Sequence, residues 1–291
     1  MRKLAICCLC LALLLCALPA SADLIPGVSP WTIAVIDNDL TDDFDNDGTM
    51  ENCHVVFNVD EYDDGGFTLA VGSSTVIRDD CFGLMNTIYA MRIGWTGYSA
   101  VGDGDYYATL FMVPEYGMSD DPYTYCYLYV DGDLIDVGQI PAMPYNMAAD
   151  PVSGTITTQV RASMIGTWSR PADYILARGF SWDEENFYSY YHLTEVPRPI
   201  YPFGMIVSLN QELPLLASQT DRVYAGVLLP EENKQVVLAA TDDVRWLYVS
   251  SLDGATVGWV KMSRVDWETK LTVGDVEMNV DDVFGDILYA D

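Results

Sequence analysis

An acidic loop near the amino terminus has the residue types and spacing that bind a hard metal ion. Asp43, Asp45 and Asp47 alternate along it, a glycine follows, and Glu51 adds a fourth carboxylate. A Ca²⁺ ion takes about six to eight oxygen ligands, and a loop of this kind wraps carboxylates and one backbone carbonyl around a single point. The spacing predicts a calcium site formed by Asp43, Asp45, Asp47, Glu51 and the carbonyl oxygen of Thr49.

The residues that follow decide between two ways of building such a site. The EF-hand form needs a bidentate Glu at its last position and a helix on each side, but His54 occupies that position. Residues 53–59 are rich in β-branched and aromatic side chains, which is typical of a strand. We therefore expect a calcium loop that joins two strands of a β-hairpin, entered by a strand at residues 31–36.

The first 22 residues have the features of a secretory signal peptide. Arg2 and Lys3 precede an apolar run at residues 4–18, and Ala20-Ser21-Ala22 is an AxA cleavage site. The apolar run is too short for a membrane anchor, and no second run of spanning length follows. We expect a protein that is exported, either secreted or associated with the cell wall, and not inserted in a membrane.

The composition excludes several classes of partner and fold. The chain has 43 acidic and 14 basic residues and a formal net charge of −29, a field that repels nucleic acid and anionic membranes. Half of the residues are hydrophobic, which excludes a disordered acidic tail. The residues after position 22 are sufficient for one large or two medium domains with buried cores.

Three cysteines, Cys53, Cys81 and Cys126, follow the predicted cleavage site. In an oxidising compartment the sequence favours a Cys53–Cys81 disulfide, because both residues lie in the first repeat-like segment. Three buried free thiols are the alternative. No CxxC or Cys/His spacing indicates a zinc site.

Short runs of alternating or β-branched residues, without long helical periodicity, predict an all-β chain. The order strand, acidic loop, strand, glycine turn, strand occurs twice, which is typical of propeller-like blades. We expect an incomplete propeller-like assembly of antiparallel sheets over residues 23–195. In its second unit only Asp103 and Asp105 remain of the acidic loop, so a second calcium site stays open.

The pattern of predicted strands changes across residues 196–202. This segment contains three prolines and predicts a stiff linker. Short, evenly spaced strands follow at 223–229, 235–240, 246–251 and 256–262, which predicts a small barrel within residues 203–291.

Two parts of the chain resemble known modules. Residues 43–57 resemble the calcium loop of FG-GAP/VCBS-type repeats, and Asp43, Asp45, Asp47 and Glu51 match that motif position by position. The resemblance implies a structural Ca²⁺ ion in a propeller-like sheet assembly.

The second resemblance is to a bacterial SH3-like domain and covers residues 223–262. It rests on these segments: Leu228-Leu229-Pro230, Val236-Val237-Leu238, Trp246-Leu247-Tyr248-Val249 and Gly258-Trp259-Val260. The usual Asn-Val-Arg-Ser-Gly-Pro opening is replaced by residues 213–217, so wall binding does not follow from the resemblance. As a whole the chain resembles exported proteins of Gram-positive gut bacteria that pair these two modules.

Aromatic residues are the candidate ligand contacts. Tyrosines alternate along residues 123–129 and therefore share one face of a strand. On that face Tyr125 and Tyr127 would stack on a sugar, and packing in the core is the alternative. Trp246 and Trp259 are either groove residues that contact a ligand or part of the barrel core.

The sequence indicates a binding protein and not an enzyme. It contains no GxSxG, HExxH or P-loop motif, and neither His54 nor His192 lies beside a recognisable nucleophile. We expect a calcium-stabilised protein that binds wall peptide, glycan or a surface protein at the cell envelope through the SH3-like module. The alternative is a polysaccharide-binding or glycan-active accessory protein that uses the N-terminal β domain.

Overall fold

The computed structural model describes residues 34–36, 39–94, 107–117, 121–150, 153–182, 187–220, 222–265 and 268–289. The predicted signal peptide and the acidic turn with Asp103 and Asp105 lie outside these residues. The predictions made for those two segments therefore stay predictions.

The described residues form strands β1 to β22, a 3-10 helix at Pro144–Asn146 and one short helix, α1, at Val280–Val283. The first nine strands are β1 Ala34–Ile36, β2 Asp39–Asp42, β3 Glu51–Val59, β4 Gly65–Val71, β5 Ser74–Cys81, β6 Ile88–Gly94, β7 Tyr107–Tyr116, β8 Pro122–Val130 and β9 Asp133–Ile140. The next four are β10 Ala148–Ala149, β11 Ile156–Arg161, β12 Ser169–Trp182 and β13 Phe187–Val196. The last nine are β14 Tyr201–Leu209, β15 Leu213–Leu216, β16 Tyr224–Leu228, β17 Gln235–Thr241, β18 Trp246–Ser251, β19 Val257–Val265, β20 Glu268–Val273, β21 Val276–Asn279 and β22 Phe284–Gly285.

These strands confirm the prediction of an all-β chain. They form four antiparallel sheets, none of which closes into a barrel among the described residues. The first three sheets contain β2–β3–β4–β5, β1–β6–β7–β8–β9 and β10–β11–β12–β13, and the fourth is a nine-stranded sheet built from β14 to β22. The propeller-like and SH3-like descriptions are finer than this architecture and stay predictions.

The five-stranded sheet carries a hydrophobic cluster on each of its two faces. Successive side chains of a strand point to opposite faces, and β8 divides its residues accordingly. Tyr125, Tyr127 and Tyr129 pack with residues of β3 and β4, whereas Cys126 and Leu128 pack with residues of β11 and β12. The five-stranded sheet is therefore a central layer between two four-stranded sheets.

The three cysteines are free and buried, so the predicted Cys53–Cys81 disulfide is wrong. Val59 pairs with Gly65, and Gly65 pairs with Cys81, which places Cys81 beside the far end of β3. Cys53 lies six residues from Val59, which corresponds to about 20 Å along the strand. A disulfide requires Cα atoms within about 7 Å. The two thiols therefore lie at opposite ends of the first sheet.

The segment between β11 and β12 joins the third sheet to the fourth. Met164 and Ile165 belong to the hydrophobic cluster of the nine-stranded sheet. Asp243, which is 4 % exposed at its side chain, accepts a hydrogen bond from Arg170 Nε at 2.8 Å and others from the backbone of the segment. Of the predicted linker, only residues 197–200 lie between β13 and β14. Arg170, before the predicted linker, thus contacts Asp243, after it. The division into domains stays a prediction.

Candidate metal centre

The acidic loop connects β2 and β3, which pair antiparallel with Asp42 opposite Glu51. This confirms a loop on a β-hairpin. The strand that enters the loop is Asp39–Asp42, however, and not the predicted strand at residues 31–36, of which the structure describes residues 34–36. The nearest described part of that earlier segment, β1, pairs with β6 in the five-stranded sheet instead. The loop therefore lies where the first sheet meets the second.

The loop is folded around the carboxylate of Asp43. The Asp47 N–H donates to Asp43 Oδ1 and the Gly48 N–H donates to Asp43 Oδ2, both at 3.1 Å. The backbone has a positive φ at Asn46 (61°) and at Gly48 (88°), and this left-handed region is the one that glycine and asparagine tolerate best. Residues 46–48 thus turn tightly enough to bring later carboxylates back toward Asp43.

Contacts with the central sheet hold the inner side of the loop. Phe44 is 2 % exposed and packs edge-on against Phe111, with ring centroids 5.1 Å apart. The Thr109 hydroxyl donates to the carbonyl oxygen of Phe44 at 2.7 Å. The Gly132 N–H, at the turn between β8 and β9, donates to Asp45 Oδ2 at 2.9 Å. The loop is therefore fixed against two elements that lie far from it in sequence.

Three of the four predicted carboxylates come together. Asp43, Asp45 and Glu51 each offer an oxygen atom, and these atoms lie within 4.8 Å of one another. Asp45 and Glu51 are buried, at 6 % and 8 % exposure. The structure does not place Asp47 in this group, and Asp47 Oδ1 instead accepts a hydrogen bond from the Thr49 N–H at 2.6 Å. The roles of Asp47 and of the Thr49 carbonyl as ligands stay predictions.

Asp45 has a buried oxygen atom without a hydrogen-bond partner among the described residues. Its Oδ2 accepts from Gly132, but its Oδ1 is inaccessible to solvent and accepts from no group. Leaving a buried carboxylate oxygen unsatisfied is costly, because the group has given up its water without receiving a replacement. The carboxyl group of Asp45 contributes an oxygen atom to the group formed with Asp43 and Glu51, so a cation bound there would compensate its buried charge.

The protein environment opposes the negative charge of this cluster. Burial raises the pKa of Asp45, and the charges of Asp47 and Asp43 raise it further, against the backbone N–H groups of Gly132 and Asp47, which lower it; the net change is a rise. Burial likewise raises the pKa of Glu51, against a hydrogen bond from the Phe44 N–H. Carboxylates that are crowded and desolvated in this way gain most from a bound cation.

The donor atoms in this cluster are all oxygen. His54 lies three residues after Glu51, but its position on β3 is exposed, and its Nδ1 contacts Asp39 Oδ1 at 2.5 Å. The thiol of Cys53 is buried and is not part of the group. Carboxylate oxygens without nitrogen or sulfur donors suit Ca²⁺ or Mg²⁺ and not zinc or copper.

The predicted aromatic ligand contacts fall into two groups. Tyr125 and Tyr127 are 4 % and 3 % exposed and pack in the core, which corrects the expectation that they stack on a sugar, since stacking requires an accessible ring face. Trp246 and Trp259 lie on neighbouring strands β18 and β19 and are partly exposed. Tyr248, opposite Trp259, packs against it with ring centroids 4.9 Å apart. A ligand role for the two tryptophans stays a prediction.

Comparison of the chain with protein-family models, with curated proteins and with solved structures finds no match. Among the described residues, no helix is both long and apolar enough to cross a membrane.

Sequence reasoning missed the two residues that anchor the loop. Thr109 and Gly132 belong to strands and turns of the central sheet and are not acidic, so no motif connects them to the loop. The pair Asp131-Gly132 does predict a hairpin turn, and both residues have positive φ, at 51° and 84°. Nothing in that local signal indicates that the turn lies against Asp45.

Proposed function

We propose that this protein is an exported, calcium-stabilised binding protein that does not catalyse a reaction. The observation that carries the calcium part is Asp45, whose Oδ1 is buried and unsatisfied beside two other carboxylates. A Ca²⁺ ion bound by Asp43, Asp45 and Glu51 would supply the missing partner. Further oxygen ligands would come from water, from Asp47 or from the Thr49 carbonyl, as the spacing of the loop predicts.

The place of this site in the fold favours a structural role. The loop belongs to the first sheet, whereas Thr109 and Gly132, which contact it, belong to the second. An ion at Asp45 would therefore stabilise the contact between two sheets. Extracellular calcium modules bind with dissociation constants of about 10⁻⁴ to 10⁻³ M, which suits a protein that meets calcium outside the cell.

Export and a position at the cell envelope are supported by the sequence of residues 1–22 and by the acidic composition. A high net charge keeps a protein soluble and disfavours nucleic acid and anionic membranes as partners. The binding partner would be wall peptide, glycan or a surface protein, contacted by residues 203–291, where Trp246 and Trp259 remain partly exposed.

Calorimetric titration of residues 23–291 with CaCl₂ tests the metal site. We expect one ion per chain with a dissociation constant of about 10⁻⁴ to 10⁻³ M, and binding to Mg²⁺ that is weaker because the smaller ion dehydrates reluctantly. Asp45→Asn keeps the shape of the side chain and removes its charge, so it should weaken calcium binding strongly. A titration without heat of binding, or an unchanged affinity in the variant, would contradict the proposal.

The envelope role needs its own experiment. Residues 23–291 should sediment with purified Gram-positive cell walls, and Trp246→Ala with Trp259→Ala should reduce the bound fraction. The matched control is Tyr62→Ala, which removes an aromatic side chain that is 72 % exposed on the β3–β4 turn. If the wild type and all these variants sediment equally, the nine-stranded sheet is not the binding surface.

A further inference from the structure

A cleft of about 780 Å³ lies where the central sheet, the segment between β11 and β12 and the nine-stranded sheet meet. The start of β8 forms one wall through Tyr123, and the segment after β11 forms another through Ser163 and Met164. The β19–β20 hairpin, the beginning of α1 and Tyr289 near the end of the chain also line the cleft. Ligand pockets of proteins have volumes of about 300 to 1,000 Å³, so the cleft has room for a small molecule of several rings.

The lining combines an apolar floor with a polar rim. Ala162, Met164 and Val280 are buried and apolar. Around them the rim carries arginine and carboxylate side chains, which supply hydrogen-bond donors and acceptors respectively. A ligand that fits this lining needs one apolar face and several hydroxyl or amide groups at its edge.

Contacts within the rim hold its polar groups in place before a ligand arrives. Arg161 Nη1 donates to Asp121 Oδ1 at 2.7 Å, and Arg264 Nη1 donates to the carbonyl oxygen of Ser163 at 2.8 Å. The Tyr289 hydroxyl donates to Asp281 Oδ1, also at 2.7 Å. The side chain of Arg161 is still 45 % exposed. A site arranged in this way loses little conformational entropy on binding.

The charges around the cleft select against anionic ligands. Two arginines and three carboxylates line it, so its own charges nearly balance. The chain as a whole has a net charge of −29, which repels an anion before it reaches the cleft. The charged rim in turn disfavours a lipid or another purely apolar ligand. A neutral, hydroxyl-rich molecule meets both conditions and can use the arginine donors and the carboxylate acceptors together.

Two tyrosines give the cleft surfaces for stacking. Tyr123 is 37 % exposed and Tyr289 is 54 % exposed, and both line the cleft. Tyrosine presents a flat apolar ring with a polar edge, which fits the C–H face of a sugar ring and its hydroxyl groups. Tyr123 lies at the start of β8 and is not part of the buried cluster that contains Tyr125 and Tyr127 of the same strand.

We propose that this cleft binds a neutral oligosaccharide of two to four sugar residues, stacked on Tyr123 and hydrogen-bonded by Arg161, Arg264 and Asp281. The proposal rests on the envelope-binding role proposed above and narrows the partner to a glycan, bound at a site other than Trp246 and Trp259. It does not depend on the calcium loop, none of whose residues line the cleft.

The test is calorimetric or array-based binding of residues 23–291 to neutral oligosaccharides of glucose, galactose, mannose and N-acetylglucosamine, with acidic oligosaccharides and a lysine-containing peptide for comparison. We expect at least one neutral oligosaccharide to bind. Tyr123→Ala should weaken that binding about tenfold through the lost stacking surface. Tyr62→Ala, on a turn outside the cleft, should leave the affinity unchanged.

Arg161→Met provides a second variant, because this side chain is half exposed and its loss does not disturb the core. Binding only to the acidic oligosaccharides or to the peptide would overturn the proposal, as would binding that neither Tyr123→Ala nor Arg161→Met weakens. Absence of all binding would also overturn it. Repeating the titration with Asp45→Asn separates the two proposals, since a failed calcium site would leave the oligosaccharide affinity of the cleft measurable.

Discussion

Asp45→Asn should lower the stability of this protein in the presence of calcium but not in its absence. Without the ion, the wild-type chain buries a carboxylate whose Oδ1 has no partner and whose neighbours Asp43 and Glu51 are also acidic. The amide of Asn removes that charge, and its oxygen can still accept the Gly132 N–H. In chelator, the variant should therefore unfold at the same temperature as the wild type or at a higher one.

With calcium the order should reverse. At 2 mM Ca²⁺ and a dissociation constant of about 10⁻⁴ to 10⁻³ M, binding stabilises the folded wild type by about 0.6 to 1.8 kcal/mol. For a chain of this size such a gain raises the unfolding temperature by about 1 to 7 °C. The variant should lose most of this shift, because the affinity of a calcium site depends on the charge of its ligands.

Differential scanning calorimetry of both proteins, each with calcium and with chelator, measures the four unfolding temperatures. Asp60→Asn is the matched control, because Asp60 also accepts backbone N–H groups in an acidic turn, at 2.8 Å from Tyr62 and 3.1 Å from Asp64, but lies outside the metal cluster. Its effect should be the same in both conditions. If Asp45→Asn also shifts the unfolding temperature equally in both, the loop is an ordinary acidic turn and the reasoning is refuted.

Three further predictions concern the rest of the structure. Arg170→Ala should cost about 3 to 5 kcal/mol in urea unfolding, because it leaves the buried Asp243 carboxylate without a positive charge beside it. Adding Asp243→Asn should recover part of this loss, and equal stability of the single and the double variant would contradict the prediction. The three cysteines should resist alkylation at pH 8 in the native protein and all react after unfolding, and fewer than three reactive thiols would indicate a disulfide. Burial raises the pKa of Cys53 to about 12 and that of Cys81 to about 11, from 9.0. Above pH 9 the two thiols therefore lose their protons in the unfolded chain while they stay protonated in the folded one. The free energy of unfolding should then fall as the pH rises, by at most about 1.4 kcal/mol per pH unit for each thiol. The double variant Cys53→Ala, Cys81→Ala should show a weaker dependence of the unfolding free energy on pH.

Local features of this protein were predictable because they depend on short stretches of sequence. Residues 53–59 and 67–71 alternate or cluster apolar side chains, and the structure places β3 and β4 there. The strand at 246–251 coincides with β18. The loop with Asp43, Asp45 and Glu51 was recognisable because spacing alone brings these carboxylates toward one point.

The same patterns did not show which surfaces are covered. Alternation along β8 correctly predicts that Tyr125, Tyr127 and Tyr129 share a face, but it does not show that this face packs under another sheet. The opposite face, with Cys126 and Leu128, is covered as well. The sequence of a tyrosine-rich strand that is buried on both faces does not differ from that of an amphipathic strand with one face in solvent. The sugar-stacking hypothesis for Tyr125 and Tyr127 assumes the second case.

By itself, the sequence determined the chemical type of the candidate metal site: oxygen ligands, a tight turn and a hairpin, all within ten consecutive residues. Only the tertiary structure decided which ligands meet, since the Gly132 N–H that orients Asp45 lies 87 residues away. It likewise decided that Asp45 Oδ1 is buried without a partner and that Cys53 and Cys81 stay apart. The physical reason is that local propensity acts over a few residues, whereas burial and the pairing of polar groups depend on which sheets pack together.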